Sequence, residues 1–567
     1  MVQGLLRTLE ASVRGVSKPV QNLHQAAYLL AGLTLVSQVL ALLRDRLFAH
    51  EFGASMTLDL YYAAFKVPDL VFALVASLVS AYVLIPRIAG EGKEATRKLL
   101  SHAASFLLIG GGLAVLLLWG AMPSLLSSLF PTLAASAEAD EFVLLSRLLL
   151  LQPVLLGLSG VLTSVTQVER RFVLFALSPV LYNLGIIGGA LFLYPSLGVV
   201  GVGVGVVLGA LAHLLIHLPV VAGAKVLPRL VVPSWRVIAS VVQDSVPRSL
   251  ALSMGAFTTL VLTILAAREA EGSVALLSLA GNLEAVPLAL IGASYATAAF
   301  PVLSEEASGK RDEAFRATLS AAGRHLIFWS AVVAILTVVL RAHLVRVVYG
   351  TGAFDWDATR LAAALLAVLV VGLAAQGFIL LASRAFYAAR KSWLPLVIQV
   401  VGLLVSAGGA VALLAASEAF PGLRYFMEAL FRIEGVPGSS VVFVAAGALL
   451  GQLVMGAVTL ATIGIVSPGV AKEFFRPLFE GVAAGVVGAT AAYGLLTAAG
   501  NIAPLTTFWS VFTQGAVAGI VGFTASAAVL ALLESREFKD LYQSLRKISL
   551  SKALTPSGTV LNDRANP

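Results

Sequence analysis

Apolar runs of about 18 residues or more recur along this chain, each long enough to cross the hydrocarbon core of a bilayer as a helix. Read between charged and Pro/Gly-rich breaks, the 567 residues hold about fourteen such spans. They fall near 26–43, 60–85, 101–122, 142–166, 173–194, 197–222, 246–267, 274–300, 326–345, 361–383, 394–415, 439–466, 479–499 and 507–533. In lipid every backbone N–H and C=O needs a partner inside the protein, and runs of this length meet that need as helices. The fold class expected is therefore an all-α polytopic membrane protein. Composition excludes the alternatives: 59% of residues are hydrophobic and 12% charged, whereas a soluble domain is about one-quarter charged. A soluble enzyme, a secreted disulfide scaffold and a disordered chain are all ruled out. Without cysteine there is no disulfide, Cys-type zinc site or thiol chemistry. The run from His24 to Leu43 leads into Arg44-Asp45-Arg46, with no small-residue cleavage site, and reads as a retained first span.

Lysine and arginine set the orientation. With the N-terminus inside, inner segments carry about 28 of the 38 basic residues and outer loops about seven. The outer loops 123–141, 195–196 and 500–506 have none. Both termini are expected to be cytoplasmic, and the net charge of +8 is a topology signal that requires no nucleic acid. The tail after Glu534 carries Arg536, Lys539, Arg546, Lys547 and Lys552. It reads as a juxtamembrane segment lying on anionic lipid, with protein docking as the alternative.

The chain also repeats itself at an offset of about 220 residues. Lys66-Val67-Pro68, Pro86, Arg97 and Leu100-Ser101 are echoed by Glu284 to Pro287, Pro301, Arg316 and Leu319-Ser320. Arg171-Phe172 with Pro179 is echoed by Arg384-Ala385-Phe386 with Pro395, and Gly205 with Gly209 by Gly447 with Gly451. Six spans per copy give both copies one orientation: two parallel six-helix bundles with a path between them, as in transporters. The expected division is a cytoplasmic N-terminal segment (1–23), a first bundle (24–223), a second bundle (224–466), a C-terminal helix pair (467–533) and a basic cytoplasmic tail (534–567).

The order of motifs is specific. Ser37-Gln38-Val39-Leu40 leads to Arg44-Asp45, Phe52-Gly53-Ala54 and Asp59, then Ala64 to Leu70 (AFKVPDL) and Ile85-Pro86. Arg171-Phe172, Pro179, Asn183 and Leu218-Pro219 follow. Later come Ala299 to Ser304 (AFPVLS), Tyr349 to Phe354 (YGTGAF) and Arg384 to Ala388 (RAFYA). In this order the motifs, over roughly residues 25–465, resemble the MurJ (MviN) family of lipid II flippases in the multidrug/oligosaccharidyl-lipid/polysaccharide exporter superfamily. The resemblance implies a flippase in the bacterial plasma (inner) membrane. It would carry an undecaprenyl-diphosphate-linked peptidoglycan precursor from inner to outer leaflet by alternating access, without ATP. Partners implied are that lipid, the surrounding membrane lipids and proteins of cell-wall synthesis. The chain departs from the family pattern at several cations. Gln38 and Asn282 stand where arginines are usual, and Phe72-Ala73 and Ser77-Leu78 replace an arginine pair and Glu-Gly. A flippase for another polyprenyl-linked saccharide, or a non-transporting membrane scaffold of the same fold, is the alternative.

Ionisable groups inside spans cost about 2.5–3.5 kcal/mol each on insertion scales, so each needs a reason. The resemblance makes Arg44 a substrate or gate cation; interfacial snorkelling is the bland reading. Asp45 and Arg46 are expected to point elsewhere around the helix. Lys66 and Asp69 share a helical face, which suits either a local ion pair or a phosphate-contacting lysine tuned by Asp69. Pro68 between them is expected to bend the helix for a moving gate. Glu284 is either an ion-pair partner for a cation such as Lys66 or a carboxylate coupling transport to Na+ or H+. Asp59 is family-matched and suits a helix cap or a gate. Substrate binding is thus assigned to Arg44, Lys66, Asn282 and Gln38, and gating or coupling to Asp59, Asp69, Glu284 and Pro68. Arg147 and Arg248 read as interfacial anchors. His213 and His217, on one face, read as hydrogen-bonding groups between helices, with metal or proton relay as the sharper alternative. Gly201, Gly205 and Gly209 form a close-packing face. No HxxxxD, HExxH, P-loop or GxSxG pattern occurs, so no catalytic activity, metal or cofactor is expected.

Overall fold

The computed structural model of the chain describes residues 23–500 and 507–540, and every regular element among them is a helix. Eleven helices are long and apolar enough to cross a membrane, and thirteen if each of two bent pairs is one span. The first predicted span lies, in addition, on the 30-residue helix Leu23–Phe52. Each apolar run read from the sequence therefore has its helix, and the six-residue turn 267–272 separates spans seven and eight. The expected N-terminal segment, the outer loop at 501–506 and the tail beyond 540 lie outside the described residues.

Span two is a bent pair, Met56–Leu74 and Ala76–Ile88, meeting at 42°. The bend is not at Pro68, as the sequence suggested. Pro68 sits in the first turn of Lys66–Leu74, where a missing N–H is least disruptive. The chain turns instead through the 3-10 stretch Ala76–Val79. Span ten is also bent, by 47° between Trp356–Val370 and Leu373–Ala388.

The helices between 93 and 223 pack among themselves and against spans one and two, and those from 273 to 465 pack among themselves. The long helix Trp235–Ala266 touches both groups, lying on Trp393–Ala419 and on Lys66–Leu74. The C-terminal helices Phe475–Gly500 and Phe508–Leu532 pack on each other and on Asp312–Tyr349. Close approach is enforced by glycine. A Cβ on Gly205 would stand 2.6 Å from the Gly185 carbonyl oxygen and 2.6 Å from Gly189 Cα. Gly447 and Gly451 lie equally tightly on Ala410 and Ser406, so the repeated glycines hold an equivalent helix pair in each group. The remaining surface is apolar in a way water would not tolerate, with Leu116 72%, Phe192 78% and Leu404 66% exposed.

The two ends of the molecule, named here by the orientation the charge pattern predicts, are built differently. Toward the outer end one apolar core runs through both groups, joining Phe48, Leu58 and Phe142 to Tyr349, Leu361 and Val441. Toward the cytoplasmic end the core divides. Leu84, Leu100 and Val161 belong to one cluster and Leu303, Leu319 and Phe386 to another. The core is continuous across the groups at the outer end and divided at the other, where the long helix Trp235–Ala266 still bridges, Val241 packing with the first group's cluster and the Ser240 carbonyl accepting from Arg87.

Candidate functional site

Between the two groups lies a cavity of about 410 Å³. Spans one, two, five, seven, eight and twelve contribute Arg44, Lys66 and Asp69, Tyr182, Thr259 and Thr263, Asn282 and Glu284, and Gln452. Tyr61, Tyr62 and Phe65 form an aromatic wall, with Tyr61 edge-on to both neighbours at 5.3 and 5.0 Å. Five predicted residues, Arg44, Lys66, Asp69, Asn282 and Glu284, thus converge from three spans on one space. Gln38, Asp59 and Pro68 are not among its lining.

Asp45 corrects the sequence reading. It does not point away from Arg44: its Oδ1 accepts from Arg44 Nη2 at 2.7 Å and Nε at 2.9 Å. A guanidinium is long enough to fold back onto the adjacent carboxylate, and the fully desolvated Asp45, 1% exposed, needs a counter-charge. Its Oδ2 accepts from Asn282 Nδ2 at 3.0 Å. Arg44 Nη1 donates to Asn183 Oδ1 at 3.1 Å, and Asn183 Nδ2 donates to the Pro179 carbonyl. Asp45 therefore links span one to span eight, and Asn183 ties both to span five. Neither was singled out as a site residue, because sequence spacing does not reveal a contact across 237 positions.

The other charged groups separate as well. Lys66 and Asp69 share a face but form no hydrogen bond or ion pair within 4.0 Å among the described residues; Asp69 is exposed to the cavity. Glu284 does not pair with Lys66. It is buried and accepts from Gln376 Nε2, within its own helix group. Arg44 is already neutralised by Asp45, whereas Lys66 has no acid within 4.0 Å among the described residues; Asp69, one turn on in the same lining, acts on it through its charge without bonding to it. Two shielded lining atoms, Tyr62 Oη and Gln452 Oε1, find no hydrogen-bond partner there. A lysine and an orphan phenol around one space suit an anionic guest, and the orphan amide oxygen suits a hydroxyl or amide donor on the same guest.

Asp59 performs a different task. It is 2% exposed, and its Oδ2 and Oδ1 accept the backbone N–H groups of Gly272 at 2.8 Å and Ala275 at 2.7 Å. It caps a helix, but the helix is Ser273–Pro287 of the opposite group, not its own. Beside it Met56 N donates to Glu271 at 2.8 Å, and Ala353 N donates to the His50 carbonyl at 2.9 Å. Gly272 has φ +83°, and a Cβ there would lie 2.6 Å from the Ala54 carbonyl oxygen. These contacts close the outer end.

The cytoplasmic end has an open space of about 600 Å³ between the groups, lined by Arg87, Arg248, Arg384, Phe300 and Tyr387. Arg248, expected as a simple anchor, thus faces the mouth of the path. Arg147 behaves as an interfacial residue, donating to the Trp119 carbonyl at 2.9 Å and lying over its ring. The histidines bond across helices: His213 Nδ1 meets Ser159 Oγ at 2.7 Å and His217 Nε2 meets Thr163 Oγ1 at 2.9 Å.

Residues 48–421 match the family described as lipid II flippase MurJ. The chain belongs to the lipid II flippase MurJ family. It is 26% identical over 399 residues to a lipid II flippase MurJ of Burkholderia cenocepacia, covering 68% of this chain and 77% of that one. It is 26% identical over 506 residues to a probable lipid II flippase MurJ of Bdellovibrio bacteriovorus, covering 85% and 91%. The fold is similar to a solved structure of lipid II flippase MurJ in an inward closed conformation, with a TM-score of 0.70, 19% identity and coverage of 89% and 99%. It is also similar to an inward-facing MATE family multidrug resistance transporter of the MOP superfamily, with a TM-score of 0.60, 18% identity and coverage of 78% and 98%. The MurJ match takes in Lys66, Asp69, Asn282 and Glu284, and begins just after Arg44.

Proposed function

We propose that this protein moves lipid II, an undecaprenyl-diphosphate-linked peptidoglycan precursor, from the inner to the outer leaflet of the bacterial plasma membrane by alternating access. The observation that carries the reading is the cavity between the helix groups, where the Lys66 ammonium stands with no acid within 4.0 Å among the described residues. A diphosphate crossing a low-dielectric layer needs such a cation, and one aqueous chamber reached from one side at a time spares the lipid a crossing unaided. The family's name and the names of the relatives support the substrate. A cavity holding Lys66 and Arg44, in place of a dry interface, favours transport over a scaffold role.

In this reading the helix groups are two parallel six-span bundles that rock about the cavity, with the C-terminal pair outside the repeat. Both termini are cytoplasmic. The Asp59 contacts hold the outer gate shut while the arginine-lined mouth admits the head group. Lys66 and Tyr62 meet the diphosphate, Gln452 Oε1 accepts from a hydroxyl or amide of the head group, and Asn282 and Asp45 hold Arg44 in place. Glu284, bonded to a neutral amide, is free to exchange a proton or sodium ion as the coupling group. Transport proceeds without covalent catalysis, and the exported lipid passes to enzymes of cell-wall synthesis. Alanine at Lys66 or Arg44 is expected to abolish rescue of a flippase-depleted strain while membrane insertion is retained. Full rescue by both variants would overturn the cationic-cavity mechanism.

A further inference from the structure

The largest of the cavities described here is not the central one. A space of about 790 Å³ opens at the predicted outer end, between the second helix group and the C-terminal pair. Its basic residues arrive from three separate elements. Arg341 and His343 lie on Asp312–Tyr349, Arg360 on Trp356–Val370, and Arg432 at the C-terminal cap of Pro421–Phe431. Outer loops are poor in basic residues throughout this chain, so three guanidiniums in one place are not a topology signal.

The three arginines are not equivalent. Arg360 is neutralised by Asp357 at 3.3 Å and Glu434 at 3.6 Å, and its Nε donates to the Arg432 carbonyl at 2.7 Å. It serves as a clamp that fixes the backbone of Arg432. Arg432 is held at φ 60°, a left-handed conformation that disfavours any residue with a Cβ and is more often met by glycine at a helix C-terminus. The helix leading to it is pinned by Glu428, which accepts from Arg424 at 2.9 Å and from Ser439 at 2.6 Å. Neither Arg341 nor Arg432 has an acid partner among the described residues, and the only hydrogen bond of the Arg341 side chain there is to the Val338 carbonyl. His343 Nε2 is shielded and without a hydrogen-bond partner. The rim is that of a membrane interface, with Trp356 54% and Tyr493 51% exposed.

We propose that this cavity binds the phosphate of an anionic lipid in the outer leaflet. Arg341 and Arg432 supply the charge, His343 forms part of the wall beside Arg341, and the aromatic rim receives the start of the acyl or prenyl chain. None of its lining residues lines the central cavity, so the proposal stands or falls independently of the transport reading.

The test is native mass spectrometry of the purified full-length protein with three probes: phosphatidylglycerol, undecaprenyl diphosphate and inorganic pyrophosphate. The wild type is compared with the double variant Arg341→Gln/Arg432→Gln and with Lys66→Gln. The expected result is phosphatidylglycerol binding weakened about tenfold or more in the double variant, from loss of two charge-assisted contacts, and retained in Lys66→Gln, with undecaprenyl diphosphate losing one of two binding events in each. Loss of phosphatidylglycerol in the double variant identifies bulk phospholipid as the occupant; loss of undecaprenyl diphosphate alone, measured in the Lys66→Gln background, identifies the exported product. Unchanged binding of both lipids on adding the double substitution to Lys66→Gln overturns the site, as does binding of pyrophosphate without either lipid. Elution as a monodisperse species confirms that the variants are folded.

Discussion

Asp59→Asn isolates the outer closure. The carboxylate accepts two backbone N–H groups of the opposite helix group, at 2.8 and 2.7 Å, in a site that is 2% exposed. An amide keeps the shape but offers one oxygen, and turns an N–H toward the second donor. One charge-assisted hydrogen bond is lost, worth about 1.5–3 kcal/mol, together with the favourable placement of a negative charge at a helix N-terminus. At about 1.4 kcal/mol per decade, the closed-to-open ratio of the outer gate falls roughly ten- to 150-fold. The chain has no cysteine, so Ala137→Cys and Pro437→Cys, both exposed on outer loops, can carry spin labels without background. Pulsed dipolar spectroscopy in lipid nanodiscs then reads the separation of the two groups. Asp59→Asn is expected to shift the distribution toward longer distances, while Asp59→Glu retains most of the closed state. An unchanged distribution in a folded Asp59→Asn protein would refute the latch.

Three further outcomes follow from the geometry. Asp45→Asn leaves Arg44 without its counter-charge in a desolvated setting and should lower stability by about 3–5 kcal/mol; thermal denaturation in detergent checks this, and Arg44→Gln/Asp45→Asn should recover most of the loss. Glu284→Gln keeps the bond to Gln376 and the fold, but should change how translocation responds to imposed proton or sodium gradients; an unaltered response removes Glu284 as the coupling group. Gly205→Val drives a side chain into the Gly185–Gly189 backbone and should destabilise the first helix group by about 1–3 kcal/mol or more, read as a lower melting temperature or reduced folded yield.

The fold was legible because bilayer physics leaves so little choice. Apolar runs mark the helices, and a run such as 394–415 needed no tertiary information to be found. The glycines at 201, 205 and 209 were legible too, since small residues on one helical face have few uses other than close packing, and the echo at 447 and 451 marked the equivalent helix. The site was half legible. Lys66, Asp69 and Glu284 announced themselves as charges inside spans, where solvation is expensive. Their partners did not, because an i, i+3 spacing permits an ion pair without enforcing one, and the amide of Gln376 carries no charge to attract notice. Asp45 was misread because helical direction was weighed over side-chain reach. Asp59 was recognised as a cap, but sequence alone could not say which helix it caps. Pro68 sits in the first turn of a helix that restarts after Phe65, so the largest bend of its span falls elsewhere, at the stretch after Leu74.

The most direct measurement is transbilayer movement of lipid II in proteoliposomes containing either the wild type or Lys66→Gln. The wild type is expected to deliver lipid II to the opposite leaflet. Lys66→Gln, folded and reconstituted to the same density, is expected to do so at about one-tenth of that rate or less, because among the described residues the only other cation lining the central cavity is Arg44, which Asp45 holds. Equal rates for the two proteins, or no movement of lipid II by the wild type, would contradict the central claim.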